Sequence, residues 1–180
     1  MSDGDDTDAE HDRVMLDIET LGTDPGAAIV SIGAVRFSTE GLGAELYESV
    51  SLASCLDAGL AVEAETFEWW LDQDAAARAA LSGGDPLAEV CDRFAAFYDG
   101  SEELWAKSPA FDAVLLATAY QAVDREPPWQ FWRTRDVRTV QALPESVSLP
   151  DDGTAHHALD DARKQARNVA GTLREVLDDG

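Results

Sequence analysis

The chain of 180 residues carries 36 acidic and 13 basic side chains, a formal net charge of −23, and 45% of its residues are apolar. That length suffices for one self-sufficient core burying roughly 70% of the unfolded surface, and it excludes two full domains or a disulfide-stapled miniprotein. So acidic a chain repels a polyanion, so any nucleic acid would have to be held by metal ions or a local basic patch.

Further classes fall away on inspection. No apolar run approaches the roughly 20 residues of a membrane span. The opening Met1-Ser2-Asp3-Gly4-Asp5-Asp6 is acidic where a signal peptide is basic. Cys55 and Cys91 form no metal or disulfide framework. These features predict a soluble, cytoplasmic domain with no membrane partner. The acids are spread along the chain rather than gathered in a tail, and their self-repulsion weakens a compact fold at low salt. At about 1 M salt the Debye length falls to roughly 3 Å. The charge therefore predicts a salt-loving host.

In chain order, residues 1–11 read as a disordered acidic lead-in and 12–180 as one domain. Arg13 to Glu19 reads as a strand, followed by a loop carrying Gly22, Pro25 and Gly26. Ala28 to Phe37 is nearly all apolar, as befits a central strand covered on both faces. Glu45 to Leu52 alternates as a third strand, and the close spacing predicts an antiparallel meander. Two helices are predicted over Glu65 to Leu81 and Pro86 to Tyr98, separated by Ser82-Gly83-Gly84-Asp85. Leu104 to Lys107 reads as a short strand leading into a helix over Ala110 to Val123. Pro127 to Leu143 is irregular and rich in Trp and Arg. A last amphipathic helix runs from His157 to Leu177. Strands first, then strands alternating with helices, predict an α/β fold with a mixed sheet covered by helices.

Carboxylates stand out at several points of this plan. Period-2 alternation sends Val14, Leu16 and Ile18 to one face of the first strand and Met15, Asp17 and Glu19 to the other. Two unpaired charges on a buried face would cost several kcal/mol, so cations are expected there. The alternative is that the pair marks the strand's exposed end. Asp112 follows Ser108 and Pro109, which suit an N-cap and a first helical position. In a first turn, Asp112 could simply complement the helix dipole. On the last helix, Ala162, Ala166, Val169, Leu173 and Leu177 form one stripe. Asp160 falls roughly 160° from Ala162, toward solvent, whereas Asp161 lies roughly 100° away at the stripe's border. Periodicity thus selects Asp161, with His156 on the preceding loop. The carboxylate oxygens favour Mg²⁺ or Mn²⁺ over zinc. Two such ions could activate a water against a phosphodiester, with a histidine as its base.

These residues resemble a known family. Asp-x-Glu on the first strand, Asp112 on a middle helix and His-x₄-Asp at the last helix resemble the DEDDh group of DnaQ-like 3′–5′ exonucleases. The strings Leu16-Asp-Ile-Glu-Thr-Leu-Gly-Thr23, Ile29-Val-Ser-Ile-Gly-Ala-Val35, Thr66-Phe-Glu-Trp-Trp70, Phe111-Asp112, Pro128-Trp129 and Arg135-Asp-Val-Arg-Thr139 are similar to its phage DexA-type branch. The resemblance implies an RNase H-like mixed five-stranded sheet flanked by helices, acting on 3′ ends of single-stranded DNA or RNA. It implies that Asp17 bridges two metal ions, Glu19 and Asp161 complete the first site, Asp112 holds the second, and His156 is the general base. It also implies that Thr20 and Leu21 meet the terminal sugar. Trp70, Phe111, Arg135 and Arg138 are the further candidate substrate contacts. For Trp69 and Trp70 the alternative is core packing, and for the arginines it is pairing with neighbouring acids. His157 receives no role, and both monomer and homodimer stay open. The competing function is a non-catalytic acidic binding module or a mimic of DNA charge.

Overall fold

The computed structural model describes residues 11–148 and 156–178. The expected disordered lead-in thus lies, but for His11, outside the described residues. The first three strands are β1 (Arg13–Thr20), β2 (Ile29–Ser38) and β3 (Gly41–Ser49), paired antiparallel in a meander. Short helices α1 (Leu52–Asp57), α2 (Ala64–Leu71) and α3 (Ala75–Ala79) follow, then α4 (Leu87–Tyr98). Next come β4 (Glu103–Ala106) and α5 (Asp112–Ala122). A 3-10 turn (Phe131–Arg133) leads to β5 (Thr134–Asp136), α6 (Val137–Gln141) and α7 (Ala158–Asp178). The sheet order is β3-β2-β1-β4-β5, with β4 parallel to β1 and β5 parallel to β4. This is the expected mixed five-stranded α/β sheet.

Several boundaries differ from expectation. The third strand begins at Gly41 and ends at Ser49. Leu52 opens a helix instead, because the Ser51 hydroxyl accepts from Ser54 N–H and caps it. The helix expected over Glu65 to Leu81 breaks in two, since the Asp74 carboxylate accepts from Ala77 N–H and starts a new one. Ser108 is not the N-cap of α5: Phe111 is, and Asp112 becomes the first helical residue. The irregular Trp/Arg stretch hides β5, three residues long and too short to leave a periodicity.

The alternation of β1 is realised. Val14, Leu16 and Ile18 enter a large apolar cluster with Leu87, Val90 and Phe94 of α4 and Leu115, Leu116 and Tyr120 of α5. Met15 enters a second cluster on the opposite face, with Val35, Phe37, Trp105 and the α7 residues Leu159, Ala162, Ala166 and Val169. Asp17 and Glu19 therefore face α7. That helix lies very close to the sheet because Gly33, opposite Asp17 on β2, has no side chain. A Cβ there would stand 2.2 Å from the Ala158 carbonyl carbon and 2.3 Å from Leu159 N.

Candidate metal centre

Burial, strand alternation and helix register converge at the C-terminal end of β1. The ladder to β2 is irregular between Glu19 and Thr20, and such irregularities re-aim side chains beside functional sites. Carboxylate oxygens of Asp17, Glu19 and Asp161 all lie within 4.8 Å of one another. Asp161 reaches them from the first turn of α7, where its N–H donates to His157 O at 3.0 Å. Asp160 points elsewhere, accepting from Arg163 at 2.8 Å. The border position, Asp161, is therefore the one that joins the carboxylate group, on the side that helical register indicated.

Asp112 is buried at the start of α5, its Oδ1 3.4 Å from Ile18 N, which places it against the strand between Asp17 and Glu19. It lies outside the tight group of three, but close enough to repel both. Burial raises the Asp17 carboxyl well above its ordinary value, and Asp112, Glu19 and Asp161 push it further. Glu19 is raised to about 7 by burial, then by Asp161 and Asp112. Asp112 is raised to about 7 by burial, against small opposing contributions from N–H groups and Arg138. Among the described residues, no arginine or lysine forms an ion pair with Asp17, Glu19 or Asp112. Oxygen-only donors that raise one another's pKa are what a hard divalent cation relieves.

Gln165, which the sequence reading missed, donates from Nε2 to Asp17 Oδ1 at 2.8 Å and fixes that carboxylate. Its signal was available: it stands four residues after Asp161, on the same helical face. Beside Glu19 opens a cavity of about 370 Å³ lined by Ile18, Thr20, Glu65, Trp69, Trp70 and Phe111, among others. Trp70 is buried, and its indole N–H donates to Thr20 O at 2.9 Å, so it is both core and cavity wall. Thr20 Oγ1 donates to Gly22 O at 2.6 Å, and Leu21 is buried beneath.

His156 is not one of the three clustered groups. Its ring stands edge-on to Trp69 at 4.7 Å and to Trp70 at 6.5 Å, so it borders the wall of that cavity. Its backbone is left-handed, with φ of 57°, a conformation that costs a non-glycine residue about 1 kcal/mol or more. His157 has a structural place, stacked on Tyr47 at 4.5 Å with Nδ1 accepting from Asp160 N–H at 3.4 Å. Arg135 is tied to Glu103 at 3.0 Å and to the Trp132 and Thr134 carbonyls, as pairing predicted. Arg138 is exposed, and its charge acts weakly on Asp112. Trp129 packs on Phe94, Tyr98 and Tyr120, whereas Phe131 and Trp132 are exposed.

Comparison with known proteins agrees with this geometry. The exodeoxyribonuclease of Enterobacteria phage T4 is 21% identical, covering 91% of this chain and 89% of that protein. Exonuclease X in complex with 5′ overhanging duplex DNA has a similar fold, with a TM-score of 0.58 and 16% identity over 93% of this chain and 92% of that one. So does the nuclease domain of 3′hExo, a DEDDh family member bound to rAMP, with a TM-score of 0.58 and 13% identity over 94% of each chain. Residues 12–173 match the 3′–5′ exoribonuclease Rv2179c-like domain. The chain therefore belongs to the Rv2179c-like family within the DEDDh, DnaQ-like 3′–5′ exonucleases.

Proposed function

We propose that this chain removes nucleotides singly from the 3′ end of single-stranded DNA or RNA, using two Mg²⁺ or Mn²⁺ ions as cofactors. One observation carries the reading: three carboxylates, two from β1 and one from α7, converge within 4.8 Å on a largely covered face of the sheet. Bound divalent ions supply charge neutralisation for a phosphodiester and lower the pKa of an attacking water. Asp17, Glu19 and Asp161 would hold one ion, and Asp17 with Asp112 a second. Gln165 orients Asp17. The cavity beyond Glu19 offers an apolar floor of Trp70 and Phe111 for the terminal base and Thr20 for its sugar, with Leu21 buried next in the chain and reaching the sugar only through its backbone. His156, at the edge of the same indole pair, would take the proton of the attacking water at a ring nitrogen. Arg138 would meet the incoming strand near Asp112.

A decoy mimicking DNA needs its carboxylates exposed at phosphate-like spacing. Burial of Asp112 and the upward shifts at Asp17 and Glu19 argue for ion binding instead. The test uses DNA and RNA oligomers labelled at either end, with Mg²⁺, Mn²⁺ or a chelator. Labelled mononucleotide should leave the 3′-labelled strand at once, and Asp17→Ala should lower the rate at least ~1,000-fold, as loss of a charge-stabilising group does. Undiminished release by Asp17→Ala would refute the reading.

A further inference from the structure

A row of three residues crosses the sheet on the face that α7 covers: Asp17 of β1 pairs with Gly33 of β2, and Gly33 pairs with Tyr47 of β3. Residues directly opposite in neighbouring strands share a face. The first turn of α7 lies over the middle of this row, where Gly33 leaves room for Ala158 and Leu159. From that turn Asp161 reaches toward Asp17. On the other side His157 stacks on Tyr47, with ring centroids 4.5 Å and planes 13° apart. His157 also closes the start of the helix. Its Nδ1 accepts from the N–H of Asp160, the third helical residue, at 3.4 Å, as an N-cap side chain does. The residue just before it is His156, the proton acceptor of the reading above. The backbone of His156 is left-handed, with φ of 57°, a conformation that persists only where the surroundings impose it. Its ring meets Trp69 and Trp70 edge-on. Beside it opens a cavity of about 250 Å³ lined by Tyr47, Ser49, Ala77, Ala80 and both histidines, among others. Open space admits other rotamers, so the ring keeps its aim only if the backbone carrying it is fixed.

We infer that His157 and Tyr47 are positioning residues that hold His156 in its pose for proton transfer. The inference rests on the exonuclease reading above, and His157 itself stands outside the carboxylate group. The stack fixes the ring of His157 against β3, and the cap fixes it to α7. The peptide joining it to His156 passes that constraint to the strained backbone. Glu45, two residues before Tyr47 on the same face of β3, pairs with Arg163 of α7 at 2.6 Å. Strand and helix are thus tied beside the stack, which gives Tyr47 a steady platform. The two parts of the clamp ask for different chemistry. Position 157 needs a short acceptor for Asp160 N–H, which asparagine also supplies, and position 47 needs an aromatic face.

The experiment measures the single-turnover rate of nucleotide release from a 3′-labelled oligomer with Mg²⁺. His157→Ala should lower this rate about tenfold, the population shift that losing one cap and one stack permits. The half-saturating concentrations of Mg²⁺ and oligomer should change by less than about twofold, because the carboxylates and the nucleotide cavity are untouched. His157→Asn should recover about threefold of the loss by restoring the cap. Tyr47→Ala should lose several-fold, more than Tyr47→Phe, which keeps the ring. His156→Ala should slow release by about 100-fold or more, the scale of a lost general base. In that background His157→Ala should cost under about twofold, since nothing is left for it to position. Equal losses in both backgrounds, or Mg²⁺ affinity falling as far as the rate, would overturn the inference and leave the exonuclease reading intact. If His157→Ala does not fold, Tyr47→Ala takes its place in the same cycle with the same two outcomes. An undiminished rate in His156→Ala would overturn the choice of base and the inference with it. A protein inert with both Mg²⁺ and Mn²⁺ would overturn the exonuclease reading itself.

Discussion

On one face of β1, Val14, Leu16 and Ile18 vanish into a continuous apolar cluster beneath α4 and α5. On the other, Met15 does the same under α7, but Asp17 and Glu19, one and two pleats further on, meet Asp161 and Gln165 instead. The strand is the same and the covering is helical on both faces, yet one face stabilises the fold along its length while the other opposes it where its carboxylates gather. Crowded carboxylates raised toward neutrality are held together by the surrounding packing, at an energetic cost that a bound cation would relieve. The site is thus built as a defect in a core, and its rigidity comes from the face that has none.

Substitutions at matched depth should break this comparison cleanly. The largest effect is expected at Gly33. Alanine there drives a Cβ into the main chain of Ala158 and Leu159, so α7 must lift and carry Asp161 away. Exonuclease activity should fall at least ~100-fold, the scale set by misplacing a catalytic group by about 1 Å. Wild-type activity in Gly33→Ala would mean the close approach of α7 is dispensable. Next comes Leu16→Ala on the apolar face, where deleting a buried side chain should cost about 2–5 kcal/mol of unfolding free energy in urea titrations. A loss below ~1 kcal/mol would deny that face its stabilising role.

Metal and pH sharpen the contrast. Glu19 and Asp112 release protons near 7 in the fold, but near their ordinary carboxylate values in the unfolded chain. Between those values the folded chain binds more protons, so these two groups make stability fall as pH rises, without metal. On the proposed reading Mg²⁺ binds the ionised forms. The rise in Tm that it brings should be slight near about pH 5 and several degrees near about pH 8. A metal effect that shrinks with rising pH would contradict the assignment of the carboxylates as ligands. The smallest effect is expected at Arg135, whose half-exposed pairing with Glu103 contributes ~0–1 kcal/mol. Arg135→Ala should leave KM for oligonucleotides within about twofold while Arg138→Ala raises it several-fold. The reverse ranking would move the strand's path toward β5.

Sequence alone determined the parts that obey short-range periodicity. Alternation assigned the faces of β1, and helical register separated Asp161 from Asp160. The excess of acidic over basic residues left metal ions or a local basic patch as the ways to hold a polyanion, and the ordered strings pointed to the family. Capping chemistry was less legible: Ser51 and Asp74 start helices where apolar patterning suggested a strand and an unbroken helix. β5, at three residues, is shorter than any period that would reveal it. What only the tertiary structure decided is which distant groups become neighbours. Gly33 admits α7, Gln165 reaches back 148 residues to Asp17, and the two lysines meet in one cavity. Local pattern fixes the direction of a side chain relative to its own element. Distances between elements depend on how whole faces pack, and on where a missing Cβ allows them closer.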